Sequence, residues 1–251
     1  MRIPFYKYQA TANDFIIINQ MVVPYLKHHD KAQIAQWCDR RLGIGADGLM
    51  LINPSESADF EMIYYNSDGG LSTMCGNGGR AISHLANELK IIGKEGSFVA
   101  IDGLHQVKIS NDRIHLKMSD VHGFVSRGHQ YVLDTGSPHH VTFDSNIADT
   151  DLIKRAREVR YSDQYAAEGI NVNLVESKDD SIHVRTYERG VEDETYSCGT
   201  GVVASAIAYA AKREIQDGTI KTKIHTIGGE LEVQFTKSSD SYTDIWLVGP
   251  Q

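Results

Sequence analysis

The sequence predicts an α+β fold of two pseudo-symmetric domains, each a curled, mostly antiparallel sheet around a central helix, with the site in the cleft between them. Three observations predict it. Strand-like runs dominate the chain and are separated by hairpin signals. Helical runs are few, and one of them is apolar on nearly every face, as a helix enclosed by other structure must be. The order of features in the first half repeats in the second.

The strand-like runs cover 15–19, 48–52, 60–66, 97–101, 106–109, 114–118, 131–134, 140–143, 171–175, 182–187, 220–225, 230–235 and 244–248. Several alternate apolar with polar residues, as in Ile182-His183-Val184-Arg185-Thr186, the pattern of a half-exposed antiparallel strand. Asp102-Gly103, Asn111-Asp112 and Gly228-Gly229 lie at hairpin spacing between neighbouring runs. Amphipathic helices are expected over 30–41 and 149–160, covering sheet faces. A third helix over 80–90 would bury Ile82, Leu85, Ala86 and Leu89. The fourth, over 202–211, reads Val-Val-Ala-Ser-Ala-Ile-Ala-Tyr-Ala-Ala and should be buried. Each half runs strands, a polar segment, Cys-Gly-x-Gly, a buried helix and a hairpin-rich stretch. The expected domains are therefore 1–119 and 120–251, joined near 119–127.

With 41% hydrophobic and 23% charged residues in 251, the composition is that of a globular protein. A formal charge of −8 argues against nucleic acid or an anionic membrane as partner. No apolar stretch approaches a membrane span, and Met1-Arg2-Ile3-Pro4-Phe5-Tyr6-Lys7 has no signal-peptide core. Three cysteines do not make a secreted disulfide scaffold, so a reducing cytoplasm is the expected compartment.

Two segments carry the chemistry: Met74-Cys75-Gly76-Asn77-Gly78-Gly79-Arg80 and Ser197-Cys198-Gly199-Thr200-Gly201. Each puts a cysteine before a Gly-x-Gly turn that opens a helical run. A thiol at a helix N-terminus sits in the field of unsatisfied N–H groups, which favours the reactive thiolate. Two such thiols point to a paired acid and base, one on each side of a single carbon. Cys38, alone in Gln36-Trp37-Cys38-Asp39, reads as packing. Asp47 reads as a turn residue. His28-His29 and His139-His140 lack a convergent third ligand, so no metal site is expected.

Six motifs in register give a resemblance. Asn13-Asp14-Phe15, Asn66-Ser67-Asp68-Gly69, Met74-Cys75-Gly76-Asn77-Gly78, Gly136-Ser137-Pro138-His139, Glu188-Arg189-Gly190 and Cys198-Gly199-Thr200-Gly201 occur in the order seen in diaminopimelate epimerases, and the match spans nearly the whole chain. The resemblance implies a two-domain racemase that works without pyridoxal phosphate or any other cofactor. It implies LL- and meso-2,6-diaminopimelate as substrates, in lysine and peptidoglycan precursor synthesis, and a homodimer. Cys75 and Cys198 would exchange base and acid roles with the direction of reaction. Charge developing on the α-carboxylate could be held by backbone N–H groups of Gly76, Asn77, Gly199 and Thr200. Glu188 can pair with an ammonium group and Arg189 can grip a carboxylate bidentately. Asn13, Asn66 and Asn171 supply amide donors and acceptors. In the family, the matching positions hold the distal, non-reacting end. His139 would orient a neighbour or take part in proton traffic.

The chain departs from the family at Ala10 and Ala12, where glycines are usual. A positive φ at either would strain an alanine by roughly 1–2 kcal/mol. Ser137 stands where many relatives have asparagine. A cofactor-independent racemase of another amino acid, such as histidine, would keep both cysteines and change the distal grip. A proline or hydroxyproline racemase would typically carry histidine where Asn77 stands. A non-catalytic binder on the same fold is the reading from another class.

Overall fold

The computed structural model describes residues 2–26 and 30–250. His28 and His29 lie outside the described residues. The fold is a sheet-dominated α+β architecture, and the chain divides into two compact units, Met1–Leu116 with Gly249–Gln251 and Lys117–Val248.

The first unit opens with strands β1 (Tyr6–Ala10) and β2 (Asn13–Asn19), an antiparallel hairpin. Helix α1 (Lys31–Cys38) follows, and β2 then pairs in parallel with β3 (Gly48–Asn53). Strand β4 (Phe60–Asn66) runs antiparallel to β3 and carries the short β5 (Leu71–Ser72) on it. Helix α2 (Gly76–Glu88) leads to the meander β6 (Glu95–Ala100), β7 (Gly103–Ser110) and β8 (Arg113–Lys117), whose first strand is parallel to β4.

The second unit adds β9 (Val121–His122) and β10 (Val125–Arg127) and then runs through the same sequence of pairings. Strands β11 (Gln130–Asp134) and β12 (Pro138–Phe143) are antiparallel. A 3-10 turn (Ile147–Asp149) and α3 (Leu152–Arg160) precede β13 (Asn171–Lys178), which is parallel to β12. Strand β14 (Ser181–Glu188) returns antiparallel, with β15 (Asp193–Thr195) on it. Helix α4 (Gly199–Lys212) leads to β16 (Gly218–Thr226), parallel to β14, and to β17 (Gly229–Ser238) and β18 (Ser241–Gly249). Helices occur at matching places: α1 and α3 after the second strand of each frame, α2 and α4 before each closing meander.

Each central sheet is covered on both faces, which is why its strands read as continuous apolar runs. In β2, Ile16 and Ile18 pack with Ile34 and Cys38 of α1, while Phe15 faces Gly78 at the start of α2. In β13, Val172 and Leu174 pack with Leu152 and Ala156 of α3. The alternate residues Asn171 and Asn173 therefore face the α4 side. Asp30 and Asp151 cap α1 and α3, each accepting a backbone N–H at 3.0 Å. The expectation that α4 is enclosed holds: every residue from Gly201 to Ala210 is buried.

The Gly-x-Gly segments are not turns ahead of their helices; they are the first helical turns. Glycine is unfavourable inside a helix but costs little at its start, where it also permits close packing. Helix α2 thus begins at Gly76 rather than near residue 80, and α4 at Gly199 rather than near 202. Among the described residues, no helix is long and apolar enough to cross a membrane.

Candidate active site

Cys75 is the N-cap of α2, with φ −105° and ψ 131°, and Cys198 is the N-cap of α4, with φ −117° and ψ 113°. Their carbonyls accept the first helical bonds, from Gly79 N–H at 2.7 Å and Val202 N–H at 2.9 Å. The N–H groups of Gly76, Asn77 and Gly78, and of Gly199, Thr200 and Gly201, precede those bonds, so each thiol stands at the positive end of a buried helix.

In the first unit the Cys75 thiol donates to Asn13 Oδ1 at 3.7 Å. The orientation of that amide is fixed from behind, because Asn13 Nδ2 donates to Asp47 Oδ2 at 2.7 Å. Asp47 also accepts from Asp14 N–H at 3.1 Å and from Arg40 at 2.7 Å. Asp47 is therefore the anchor of Asn13, more than the turn residue its sequence context suggests. Arg40 forks onto Asp14 at 2.7 and 3.1 Å, and Lys7 pairs with the same carboxylate. Burial alone would raise the Asp14 carboxyl, but these two cations outweigh it and hold it well below the usual range.

Beneath Cys75 lies Arg80, fully buried. Its guanidinium donates to Gly76 O at 3.3 Å, Pro250 O at 3.3 Å, and Thr11 Oγ1 and Asn77 Oδ1 at 3.1 Å each. Thr11 Oγ1 donates to the same Asn77 oxygen at 3.1 Å. Among the described residues Arg80 forms no ion pair within 4 Å. Burial pushes it down to about 10, and the charge of Cys75 opposes that shift. Asn66 is exposed at the end of β4.

In the second unit Cys198 Sγ lies 3.5 Å from Thr200 Oγ1, which lies 2.9 Å from His139 Nε2. His139 is fully buried, and desolvation, aided by the charge of Arg189, lowers it to about 3. Glu188 lies near enough to Cys198 for the thiol to act on its carboxylate. Burial raises the Glu188 carboxyl, and its neighbours Thr195 and then Cys198 work the other way. Asn171 Oδ1 accepts Arg189 N–H at 2.8 Å, and its Nδ2 donates to Ser137 Oγ at 2.9 Å and Pro138 O at 3.1 Å. Arg189 is exposed and donates to Glu168 O at 3.0 Å. Thr135 Oγ1 donates to Thr200 O at 2.9 Å, a backbone anchor that sequence reasoning missed.

Cys38 packs among Ile16, Ile34 and Leu51, and burial pushes its thiol up to about 11. Ala12 has φ 64° and the preceding Thr11 φ 48°, whereas Ala10 is an ordinary strand residue.

The diaminopimelate epimerase family model covers residues 5–122 and 131–245. The chain is similar to the diaminopimelate epimerase of Flavobacterium psychrophilum, 47% identical over 98% of this chain and 95% of that protein. It is similar also to the enzyme of Chlorobaculum tepidum, 36% identical over 96% and 95% of the two chains. Among solved structures, a PhzF-family phenazine biosynthesis protein of Bacillus anthracis aligns with a TM-score of 0.77 at 16% identity, covering 100% of this chain and 96% of that one. A hydroxyproline epimerase of Agrobacterium vitis aligns with a TM-score of 0.68 at 13% identity, covering 98% and 89%. At these identities the structural likeness is one of fold. The family model and the sequence relatives cover both cysteine-capped helices and nearly the whole chain, so this protein belongs to the diaminopimelate epimerase family.

Proposed function

We propose that this protein is an isomerase that interconverts LL- and meso-2,6-diaminopimelate by two-base proton transfer at the α-carbon. The carrying observation is the duplicated geometry: in a member of this family, each unit presents one cysteine as N-cap of a buried helix with a Gly-x-Gly first turn. One thiolate takes the α-proton from one face, leaving charge that spreads onto the α-carboxylate. The other thiol returns a proton to the opposite face and becomes the thiolate. After one turnover the two residues have exchanged protonation states, which serves the reverse reaction.

The N–H groups of Gly76, Asn77, Gly199 and Thr200 are the donors we assign to the carboxylate, since helix N-termini favour an anion. The Asn77 side-chain oxygen already accepts from Thr11 and Arg80, so its part falls to the backbone. Glu188 pairs with a substrate ammonium group. His139 acts through Thr200. Arg189, with Asn13, Asn66 and Asn171, holds the second amino-acid head. A reducing cytoplasm keeps both thiols available, and the family resemblance implies a homodimer there, with no cofactor.

The test is α-hydrogen exchange in heavy water with reduced protein and LL- or meso-diaminopimelate, and separately with histidine and proline. Deuterium uptake with LL/meso interconversion, confined to diaminopimelate and lost in both Cys75→Ala and Cys198→Ala, is expected. Racemisation by either alanine variant would refute the two-base mechanism. Exchange only with another amino acid would refute the substrate.

A further inference from the structure

The hydrogen bonds behind Cys198 can be given directions by starting from the Asn173 amide. Asn173, on β13, places Nδ2 3.4 Å from His140 O and 3.0 Å from His139 Nδ1. A carbonyl oxygen only accepts, so Nδ2 is the donor end of the amide. The other end agrees, since Asn173 Oδ1 accepts from Thr186 Oγ1 at 2.9 Å. His139 Nδ1 is therefore an acceptor and carries no proton. A neutral imidazole then bears its hydrogen on Nε2, and the burial that drives His139 down to about 3 keeps it neutral. Nε2–H points at Thr200 Oγ1, 2.9 Å away. Asn171 Nδ2 lies 3.5 Å from the same nitrogen but spends its two hydrogens on the closer Ser137 Oγ and Pro138 O. Having accepted that bond, the Thr200 hydroxyl turns its own hydrogen to Cys198 Sγ at 3.5 Å.

We infer that Asn173 and Thr186 lock His139 in the Nε2–H form, so that Thr200 is held as a hydrogen-bond donor to Cys198 and favours its thiolate. Asn173 is thus a positioning residue, two steps from the sulfur. His139 in this state is not a base: one nitrogen accepts from Asn173 and the other already carries a proton. Gly201 makes the arrangement possible. A Cβ there would sit 2.5 Å from Asn173 Oδ1 and 3.2 Å from His139 Cε1. The charged groups facing the chain are Glu188, near Cys198, and Arg189, whose charge opposes protonation of His139. The inference rests on the reading of Cys198 as one of the two acid–base thiols.

Asn173→Asp keeps the shape and the acceptor for Thr186 but replaces the donor to Nδ1 by an acceptor. The proton should move to Nδ1, Nε2 should accept from Thr200, and Cys198 should lose its donor. Nitrogen-15 spectra of the histidines should show His139 as Nε2–H in the parent and Nδ1–H in the variant. The pH profile of iodoacetamide alkylation, read cysteine by cysteine by mass spectrometry, should show Cys198 slowed about tenfold near neutrality with Cys75 unchanged. Should Asn173→Asp fail to fold, Thr200→Val must give the same selective slowing, with Thr200→Ser restoring it. An Nδ1–H tautomer in the parent, an unmoved Cys198 profile, or equal slowing of both thiols would overturn the inference. These readouts are a tautomer and a thiol titration, so they fail separately from the exchange experiment that tests the reaction.

Discussion

Two alanines near the N-terminus should respond to glycine with opposite signs. Ala12 sits at φ 64° after Thr11 at φ 48°, so both central residues of the β1–β2 turn are left-handed, as a tight antiparallel hairpin requires. An alanine there carries about 1–2 kcal/mol of steric strain. Glycine relieves it but gains freedom in the unfolded chain, a loss of roughly 0.4–1 kcal/mol. Ala12→Gly should therefore stabilise by about 0.5–1 kcal/mol, or about 2–4 °C per kcal/mol for a chain of this size. Ala10 is fully buried in β1. Ala10→Gly removes a buried methyl worth about 0.8 kcal/mol and adds the strand cost of glycine, roughly 0.5–1 kcal/mol. It should destabilise by about 1–2 kcal/mol. Urea titration of the reduced variants, followed by circular dichroism, separates the two. A lowered midpoint for Ala12→Gly, or an unchanged one for Ala10→Gly, would refute the strain argument.

The buried neutral His139 should make the fold acid-sensitive. Its folded value of about 3 lies below the unfolded one, so its contribution is full above about pH 6.5 and lost as pH falls toward 3. His139→Gln should reduce the slope of stability against pH by up to about 1.4 kcal/mol per unit between pH 4 and 6, measured by urea midpoints; an unchanged slope would place the charge change elsewhere. Gly169, at φ +75°, admits no Cβ without meeting Arg189 Cδ at 2.7 Å and Arg160 Cζ at 2.8 Å. Gly169→Ala should raise KM for diaminopimelate about tenfold, or 1.4 kcal/mol, through displacement of Arg189; an unchanged KM in a folded variant would remove Arg189 from the distal grip. Cys38, pushed up to about 11, should be about one-thousandth ionised at pH 8. Iodoacetamide should label Cys75 and Cys198 first, and earlier labelling of Cys38 would contradict its packed position.

Most strands were legible because each has an apolar face and a Gly, Asn or Asp break at its end. Strand β1 was not. Its turn, Thr11-Ala12, lacks the usual left-handed residues and is held by Gln9 Oε1 accepting Ala12 N–H and by the Thr11 bond to Asn77. The short β5, β9, β10 and β15 carry too few residues to show a period. The helix starts were misread because glycine is a breaker by propensity, and only the packing of Gly78 on Met50 and of Gly201 on Asn173 explains it inside the first turn. Both cysteines were legible from duplication alone. Asp47 and Asn173 were not, since each acts through a neighbour. Asn173 did leave a trace: it stands two residues after Asn171 on a strand, hence on the same face.

The duplicated frame does not carry duplicated chemistry. Behind Cys75 the second glycine of the motif meets Met50, Met62 and Phe15, all apolar; behind Cys198 the corresponding glycine meets Asn173 and His139. In the proposed two-base reaction each thiol is acid in one direction and base in the other, so neither protonation state can be strongly excluded at either sulfur. The neighbours supply this by different means. At Cys75 the Asn13 carbonyl accepts from the thiol and favours it, while the buried Arg80 cation, without an ion pair among the described residues, favours the thiolate. At Cys198 the Thr200 hydroxyl favours the thiolate, while an ionised Glu188 favours the thiol. Each sulfur thus feels influences of both signs, in addition to the field of its helix N-terminus. Removing a single neighbour should shift which cysteine holds the proton in the resting protein and slow both directions, since the ratio of kcat/KM for the two is fixed by the equilibrium between the stereoisomers; an exact internal symmetry of side chains is not needed.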